Sequence, residues 1–167
     1  MASHDVVAFL RDVRLFQAFS EADRAALARV LRERTVRKGQ VLFKEGDAGE
    51  EMFLVRRGAI VVSKTVTAPV EQVIARMGVG DFFGEMSLFD GAPRSATIQA
   101  DTGADVALLV LDRGDLEALI DANPRAASSF FHALVQVFIE RLRTSTDLVA
   151  EVTRWGLEAT GLDVDSR

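Results

Sequence analysis

Hydrophobic and polar positions follow three successive patterns along the chain, helical at both ends and strand-like in the middle. Between residues 6 and 13, apolar residues recur at helical spacing. Ser20 can cap a second helix, because Asp23 follows three residues later in a capping-box arrangement. The pattern therefore predicts short N-terminal helices within residues 1–33.

From residue 34 to residue 111, short apolar runs alternate with turn residues. Gly39, Gly46 and Gly58 separate the runs, and Pro69 marks a hairpin loop. A strand spacing of roughly eight to twelve residues is typical of a β-sandwich or a small barrel. The predicted strands lie at residue 36 and at residues 41–43, 52–55, 60–62, 71–76, 95–100 and 105–111.

Helical spacing returns in the last third of the chain. Asp112 can cap one helix, and Asn123 followed by Pro124 supplies the N-cap and the first-turn proline of a much longer one. No breaker interrupts the second pattern before Gly156, which we predict to end this helix. A helix of roughly thirty residues, on the order of 45 Å long, should therefore extend beyond the β-rich segment.

The long helix carries an apolar seam in alternating steps of four and three residues. Such heptad spacing is typical of a helix that pairs with another helix. Alternatively, one face packs on the β-rich domain, a role open to the off-seam residues Leu134, Ile139 and Leu148. We predict a homodimer through the seam. The seam residues are Phe131, Val135, Phe138, Leu142, Ser145, Val149 and Val152.

Composition narrows the classes of function. The chain has 167 residues, of which 49% are hydrophobic, enough for one domain core. A net charge of −5 argues against nucleic-acid binding, since phosphate contacts require a basic surface. The sequence contains no cysteine, no secretory signal and no apolar run long enough to span a bilayer. We expect a cytoplasmic protein that binds neither DNA nor membrane directly.

Signatures of enzymes and metal sites do not stand out. Gly78 and Gly80 lack a third glycine at the dinucleotide-binding spacing, and the chain has no Walker-type Gly-Lys-Ser/Thr sequence. His4 and His132 are far apart, and neither has a second ligand at metal spacing. We therefore predict a non-enzymatic protein without a metal or cofactor.

Residues 80–97 carry the most informative chemistry. Gly84 lets the backbone approach a ligand, and the residues after it can form a helical turn whose free N–H groups suit an anion. Arg94 can fold back onto that turn as a permanent planar cation, with the hydroxyl of Ser95 beside it. A carboxylate next to a phosphate site, here Glu85, is explained if the ligand also presents hydroxyl groups. A ribose 2′-hydroxyl is such a group.

Two short motifs in this segment resemble the phosphate-binding cassette of the cyclic-nucleotide-binding domains. They are Phe83-Gly84-Glu85-Met86-Ser87-Leu88 and, after a short turn, Arg94-Ser95-Ala96. These domains occur in catabolite-activator-type regulators, protein kinase A regulatory subunits and cyclic-nucleotide-gated channels. The resemblance spans most of residues 10–155 and implies an α+β fold, an antiparallel β-roll that is double-stranded and jelly-roll-like.

The resemblance also implies the layout of the chain. Residues 1–155 would form the cyclic-nucleotide-binding domain, and residues 156–167 a C-terminal tail. Within the domain, N-terminal helices (1–33) precede the β-roll (34–111), which includes a phosphate-binding helical turn. The C-terminal helices (112–155) end with the long one.

The resemblance implies a role for the main residues of the cassette. Arg94 would hold the cyclic phosphate, Glu85 would bind the ribose 2′-hydroxyl, and N–H groups from Gly84 to Ser87 would complete the cradle. The alternative is that Glu85 and Arg94 form a structural salt bridge that closes a loop in an empty pocket. The expected ligand-binding residues of this segment are Phe83, Gly84, Glu85, Met86, Ser87, Pro93, Arg94, Ser95 and Ala96.

Recognition of the base must come from outside the cassette, because every cyclic nucleotide shares the phosphate and ribose. In activator-type relatives, a Thr-Ser pair shortly after an Arg-Leu step of the long helix meets adenine. Here Arg141-Leu142 precedes Ser145 and Thr146 at the matching offset, although these could also be polar positions on an exposed turn. In the family, a threonine after the cassette arginine favours cyclic GMP. Because Ser95 stands there, cyclic AMP is the expected ligand and cyclic GMP the alternative.

The resemblance implies a sensor that relays ligand binding through its long helix to a dimer or to an unidentified downstream protein. The residues after that helix are too few and too acidic for a helix-turn-helix domain, so direct DNA binding is not expected. The alternative function is a ligand-independent dimerisation or scaffold module that retains the fold alone.

Overall fold

The computed structural model describes residues 2–67 and 70–160 of the chain. In this part of the chain, two four-stranded antiparallel sheets are flanked by five α-helices. The predicted α+β β-roll is therefore confirmed. The hairpin loop predicted at Pro69 and residues 161–167 of the predicted tail lie outside the described residues.

The elements follow the predicted order of helices, strands and helices. The first helices are α1 (Ala2–Asp12), a 3-10 helix (Arg14–Phe16) and α2 (Glu21–Val30). The strands are β1 (Arg32–Val36), β2 (Val41–Phe43), β3 (Glu51–Arg57), β4 (Ile60–Thr67), β5 (Val70–Met77), β6 (Phe82–Phe83), β7 (Thr97–Ala100) and β8 (Val106–Asp112). The later helices are α3 (Glu85–Asp90), α4 (Arg113–Ala122) and α5 (Pro124–Ala159).

The two sheets have the strand orders β1-β8-β3-β6 and β2-β7-β4-β5. The two-residue strand β6 pairs with β3, where Phe83 lies opposite Phe53, and α3 follows directly from β6. The first four residues of β1 are exposed, so that strand lacks the apolar alternation from which strands are predicted. For this reason the sequence predicts only Val36 there and extends the N-terminal helical segment to residue 33, whereas β1 begins at Arg32.

Strand β3 contributes side chains to two separate hydrophobic cores. Met52 and Leu54 lie in the core between one sheet and the helices. Phe53 and Val55 lie in the core between the two sheets. Because successive side chains of a strand point to opposite faces, a continuous apolar run is what a strand buried on both faces requires.

Helix α5 extends further than the sequence predicts. It starts at the cap of Asn123, whose side chain accepts a hydrogen bond from the Ala126 N–H, and it continues through Gly156 to Ala159 over 36 residues. The end predicted at Gly156 is therefore three residues early. A single glycine lowers helix stability by only about 1 kcal/mol, which helix formers on both sides can offset.

Only the first half of α5 packs on the domain. Ala126, Phe130 and Leu134 are buried in the helical core, and Phe138 packs against that core half-buried. Among residues 142–160, every side chain except that of Leu157 is exposed. None of the described helices is both long enough and apolar enough to cross a membrane.

The predicted seam of α5 is only partly available for a partner helix. Phe138 lies against the domain, so it is not a free seam position. Of the three off-seam residues considered for packing, Leu134 is buried, while Ile139 and Leu148 are exposed. The exposed seam residues are Phe131, Val135, Leu142, Ser145, Val149 and Val152.

Candidate functional site

A cavity of about 350 Å³ lies between the second sheet, helix α3 and the middle of α5. Its wall on the sheet side comes from β2, β4, β5 and β7 and is apolar except for Lys64. Its other side is polar and comes from α3, the residues after α3, and one arginine of α5. The residues lining the cavity are Phe43, Val62, Lys64, Ile74, Met77, Phe83, Gly84, Glu85, Met86, Ser87, Arg94, Ser95, Ala96, Ile98 and Arg141.

Gly84 allows the chain to turn from β6 into α3 at the edge of this cavity. Its φ of +79° lies in the left-handed region that favours glycine. A side chain would also have no room, because a Cβ atom there would lie 2.8 Å from Nη1 of Arg94 and 2.9 Å from the carbonyl oxygen of Glu51. Gly84 therefore brings the backbone of α3 next to Arg94.

Arg94 is buried, with 5% of its surface exposed. Its Nη1 donates to the carbonyl oxygens of Glu51 (2.7 Å) and Gly84 (3.0 Å) and to Oγ of Ser87 (2.8 Å). The guanidinium carbon lies 4.3 Å from the centre of the Phe43 ring. Its Nε is buried without a hydrogen-bond partner in the part of the chain that the structure describes.

The charge of Arg94 has no directly paired carboxylate within the described residues, where no carboxylate oxygen lies within 4.0 Å of its nitrogens. Burial lowers the pKa of Arg94 from its usual value, and the more distant charges of Glu51, Asp47 and Glu85 oppose that shift. A guanidinium nevertheless stays protonated in proteins. The result is a buried cation that faces a cavity.

Glu85, the first residue of α3, pairs with α5 rather than with Arg94. Glu85 is buried, with 4% of the residue exposed, and its carboxylate accepts a hydrogen bond of 2.7 Å from Nη1 of Arg141. Nη2 of Arg141 donates to the carbonyl oxygen of Phe82 at 2.8 Å, and the guanidinium lies 4.6 Å from the centre of that ring. Burial raises the pKa of Glu85, and the positive charges of Arg141 and Arg94 oppose the shift. The Glu85–Arg94 salt bridge considered from the sequence is not formed.

The structure brings together eight of the eleven predicted site residues. Pro93 lies in the exposed turn before Arg94 and does not line the cavity. Ser145 and Thr146 also lie outside it, on the exposed part of α5, and the Thr146 hydroxyl donates to the backbone oxygen of Leu142. The predicted site residues that line the cavity are Phe83, Gly84, Glu85, Met86, Ser87, Arg94, Ser95 and Ala96.

Sequence reasoning missed Arg141 and the residues of the sheet wall. The sequence identifies Arg141 only as a reference point for Ser145 and Thr146, and Arg143 beside it gives the same signal. Lys64 lies in the exposed second half of β4, and its Nζ lies 3.7 Å from Oε1 of Glu45. The wall side chains occupy alternate positions along their strands. The sequence pattern can therefore predict that they point to the interior of the roll, but not that they line a cavity there.

A family model described as the cyclic nucleotide-binding domain matches residues 33–123 of the chain. Among curated proteins, a cyclic nucleotide-gated potassium channel of Rhizobium etli is 39% identical over 117 residues, which cover 70% of this chain and 31% of the channel. A cAMP-dependent protein kinase regulatory subunit of Mycosarcoma maydis is 38% identical over 101 residues, covering 60% of this chain and 19% of that subunit. The chain thus spans about a third or less of these two relatives.

Solved structures with the same architecture include two bacterial proteins. A cyclic nucleotide-binding domain from Methylobacillus flagellatus aligns with a TM-score of 0.77 at 28% identity, covering 89% of this chain and 83% of that one. The catabolite activator protein of Thermus thermophilus aligns with a TM-score of 0.73 at 31% identity, covering 84% of this chain and 63% of that one.

Proposed function

The chain belongs to the cyclic nucleotide-binding domain family, and on that premise we propose that it is a non-enzymatic sensor that binds a cyclic nucleotide in the cavity beside α3. The phosphate would meet Arg94 and the backbone N–H groups of α3. The ribose would meet Glu85, and the base would lie on the apolar wall formed by β4, β5 and β7. Binding would be reported through α5.

The observation that carries this proposal is the unpaired buried charge of Arg94. Burying a cation without a counter-ion is costly, so such a group usually has an anionic partner. Nη1 of Arg94 is already engaged by Glu51, Gly84 and Ser87, whereas Nε is buried without a partner in the described part of the chain. A cyclic phosphate carries one negative charge and two free oxygens, which suits both the charge and the remaining donors.

The ion pair between Glu85 and Arg141 supports a relay through α5. A ribose 2′-hydroxyl donates to a carboxylate, and the carboxylate of Glu85 already accepts from Arg141 at 2.7 Å. Arg141 bonds to Oε1 only, so the ligand hydroxyl would donate to Oε2 of the same carboxylate. A ligand shifts a conformational equilibrium by its differential affinity for the two states, so a cyclic nucleotide that binds this carboxylate more tightly in one placement of α5 would favour that placement.

A second copy of this chain is the proposed partner of the exposed half of α5. Val149 and Val152 are 63% and 64% exposed, and Leu142 is 68% exposed. Their seam spacing matches what pairing with an identical helix requires. A downstream protein that binds α5 in only one of its placements would transmit the ligand-induced change.

Selectivity for the base would depend on Lys64 rather than on α5 alone. Cyclic AMP remains the predicted preference, because Ser95 rather than threonine follows Arg94. Lys64 acts against that preference, since an ammonium group only donates hydrogen bonds and guanine presents two acceptors, O6 and N7, where adenine presents N7 beside an amino group. We therefore expect cyclic GMP to bind measurably as well.

Calorimetric titration of the purified chain with cyclic AMP and cyclic GMP tests the proposal. Arg94→Ala should weaken both ligands by about 2–5 kcal/mol, at least roughly thirtyfold, because the phosphate loses its charged partner. Arg37→Ala is the matched control, since Arg37 is exposed and lies outside the cavity. Binding of both ligands by Arg94→Ala within threefold of wild type would refute the phosphate assignment. If neither ligand binds the wild-type chain, the scaffold alternative replaces the sensor.

A further inference from the structure

We infer that Gly49 is a positioning residue for Arg94, and that its missing side chain is what allows the arginine to reach the ligand phosphate. Gly49 lies in the loop of residues 44–50 between β2 and β3, which none of the site predictions includes. The inference rests on the proposed ligand site, because it assigns to this loop the task of holding the arginine of that site.

The loop and the first residue of β3 hold Arg94 at its backbone and at the tip of its side chain. At the backbone, the Gly46 N–H donates to the carbonyl oxygen of Arg94 at 2.9 Å, and the Arg94 N–H donates to the carbonyl oxygen of Asp47 at 2.8 Å. At the tip of the side chain, Nη1 donates to the carbonyl oxygen of Glu51, at the start of β3. The guanidinium is thus tied to the same segment that anchors its own backbone.

Gly49 lies against the guanidinium between these two anchors. A Cβ atom built on Gly49 would come closer than 3.0 Å to Nε, Cζ and Nη2 of Arg94. Real Cβ atoms essentially never make contacts this short, so with any side chain at this position either the guanidinium or the loop backbone has to shift. The Phe43 ring, 4.3 Å from the guanidinium carbon, restricts where it could go.

The backbone conformation of Gly49 does not itself require glycine. Its φ lies outside the positive range, unlike that of Gly46 (+88°) and Gly84 (+79°). Alanine can therefore adopt the native backbone at this position without strain, and in the absence of a clash it would make the unfolded chain less flexible and so stabilise the fold. The three atoms nearest to a Cβ at this position all belong to Arg94.

Because the clash with Arg94 and the backbone conformation of Gly49 affect stability separately, melting temperatures alone can test the inference without a ligand. Gly49→Ala should lower the melting temperature of the wild-type chain, because the displaced guanidinium loses hydrogen bonds. In an Arg94→Ala background the same change should leave the melting temperature unchanged or raise it, since the clash is gone. Gly78→Ala is the matched control, because its Cβ would meet nothing within 4 Å and its φ is not positive. Its effect should be the same in both backgrounds.

The second measurement is the affinity of the folded variant for cyclic AMP. Gly49→Ala should weaken cyclic AMP at least tenfold relative to wild type, while Gly78→Ala stays within twofold. The inference is overturned if Gly49→Ala binds within threefold of wild type, or if it lowers the melting temperature equally with and without Arg94. If the wild-type chain binds no cyclic nucleotide, the proposed function fails, but the melting-temperature comparison still decides whether Gly49 positions Arg94.

Discussion

Replacement of Arg141 by alanine separates the role of α5 in the cavity from its general packing. In the wild-type chain, Arg141 joins Glu85 at 2.7 Å and Phe82 at 2.8 Å. The variant would leave the Glu85 carboxylate, whose side chain is 6% exposed, without its nearest cation. Arg143→Ala is the matched control, because Arg143 has the same charge, lies on the same helix and is exposed.

The size of the effect follows from the burial of the two partners. Removing one partner of a fully buried pair costs about 3–5 kcal/mol. The Arg141 side chain is 36% exposed, so water already screens part of the attraction, and we expect a loss of about 2 kcal/mol. In a chain of 167 residues this corresponds to a fall in melting temperature of about 4–8 °C. Arg143→Ala should change it by about 1 °C or less.

The difference in stability between Arg141→Ala and wild type should depend on pH through the ionisation of Glu85. Burial raises the pKa of Glu85 above 4.5 in the folded chain, so the folded state binds a proton more readily than the unfolded state does. The ionised carboxylate therefore costs stability as the pH rises above 4.5, and Arg141 offsets part of that cost. Loss of Arg141 should raise the pKa of Glu85 further. The gap between variant and wild type should be widest near pH 8 and smaller near pH 4, where Glu85 is protonated.

Thermal melts of wild type, Arg141→Ala and Arg143→Ala at pH 4 and pH 8 measure this gap directly. Only the differences between chains are compared, because other carboxylates change the stability of all three alike. Equal melting temperatures for the two variants at pH 8 would contradict the ion-pair argument. So would a gap that is as wide at pH 4 as at pH 8.

Three further predictions concern the base and the partner. Lys64→Met should weaken cyclic GMP by about 1 kcal/mol, roughly fivefold, and cyclic AMP less, because guanine offers the ammonium group two acceptors and adenine only one. Equal losses for the two ligands in competition binding would exclude this contact. If α5 keeps the placement described, Ser145→Ala and Thr146→Ala should leave the affinity for cyclic AMP unchanged within twofold. A loss of about 0.5–1.5 kcal/mol in either variant would instead show that ligand binding brings this turn of α5 to the base. Val149→Glu should convert a dimer to a monomer, as measured by light scattering at high micromolar concentration with nucleotide present. Ala150→Glu, on an adjacent face of the helix, should not. A monomeric wild type would refute the predicted dimer.

The cassette could be predicted from sequence because its determinants are local. Gly84, Glu85 and Arg94 lie within eleven consecutive residues, and a glycine turn, a short helix and a returning arginine form one unit in the chain. The strands of the roll were predictable for the same reason, since alternation and turn glycines act over short distances.

Contacts between distant segments could not be predicted in this way. The pair Glu85–Arg141 joins residues 56 positions apart, and it forms only because the packed half of α5 passes the open side of the cavity. The contact between Gly49 and Arg94 could not be predicted either, because a glycine in a loop predicts a turn and not a space for another side chain. The offset of Ser145 from Arg141 predicts a contact with the base, whereas four residues advance a helix by about 6 Å, and Ser145 lies on the exposed part of α5 in this structure.

Because only the first half of α5 is packed, a small tilt of the helix at the cavity produces a large displacement at its C-terminal end. Its last contact with the cavity is at Arg141, and the helix continues to Ala159, eighteen residues further, or about 27 Å. A tilt of about 10° at Arg141 would therefore move the far end by about 5 Å. The exposed Trp155, the single tryptophan of the chain, lies near that end. Energy transfer from Trp155 to an acceptor dye on the domain should report small displacements at Glu85 that would be difficult to detect in the cavity itself.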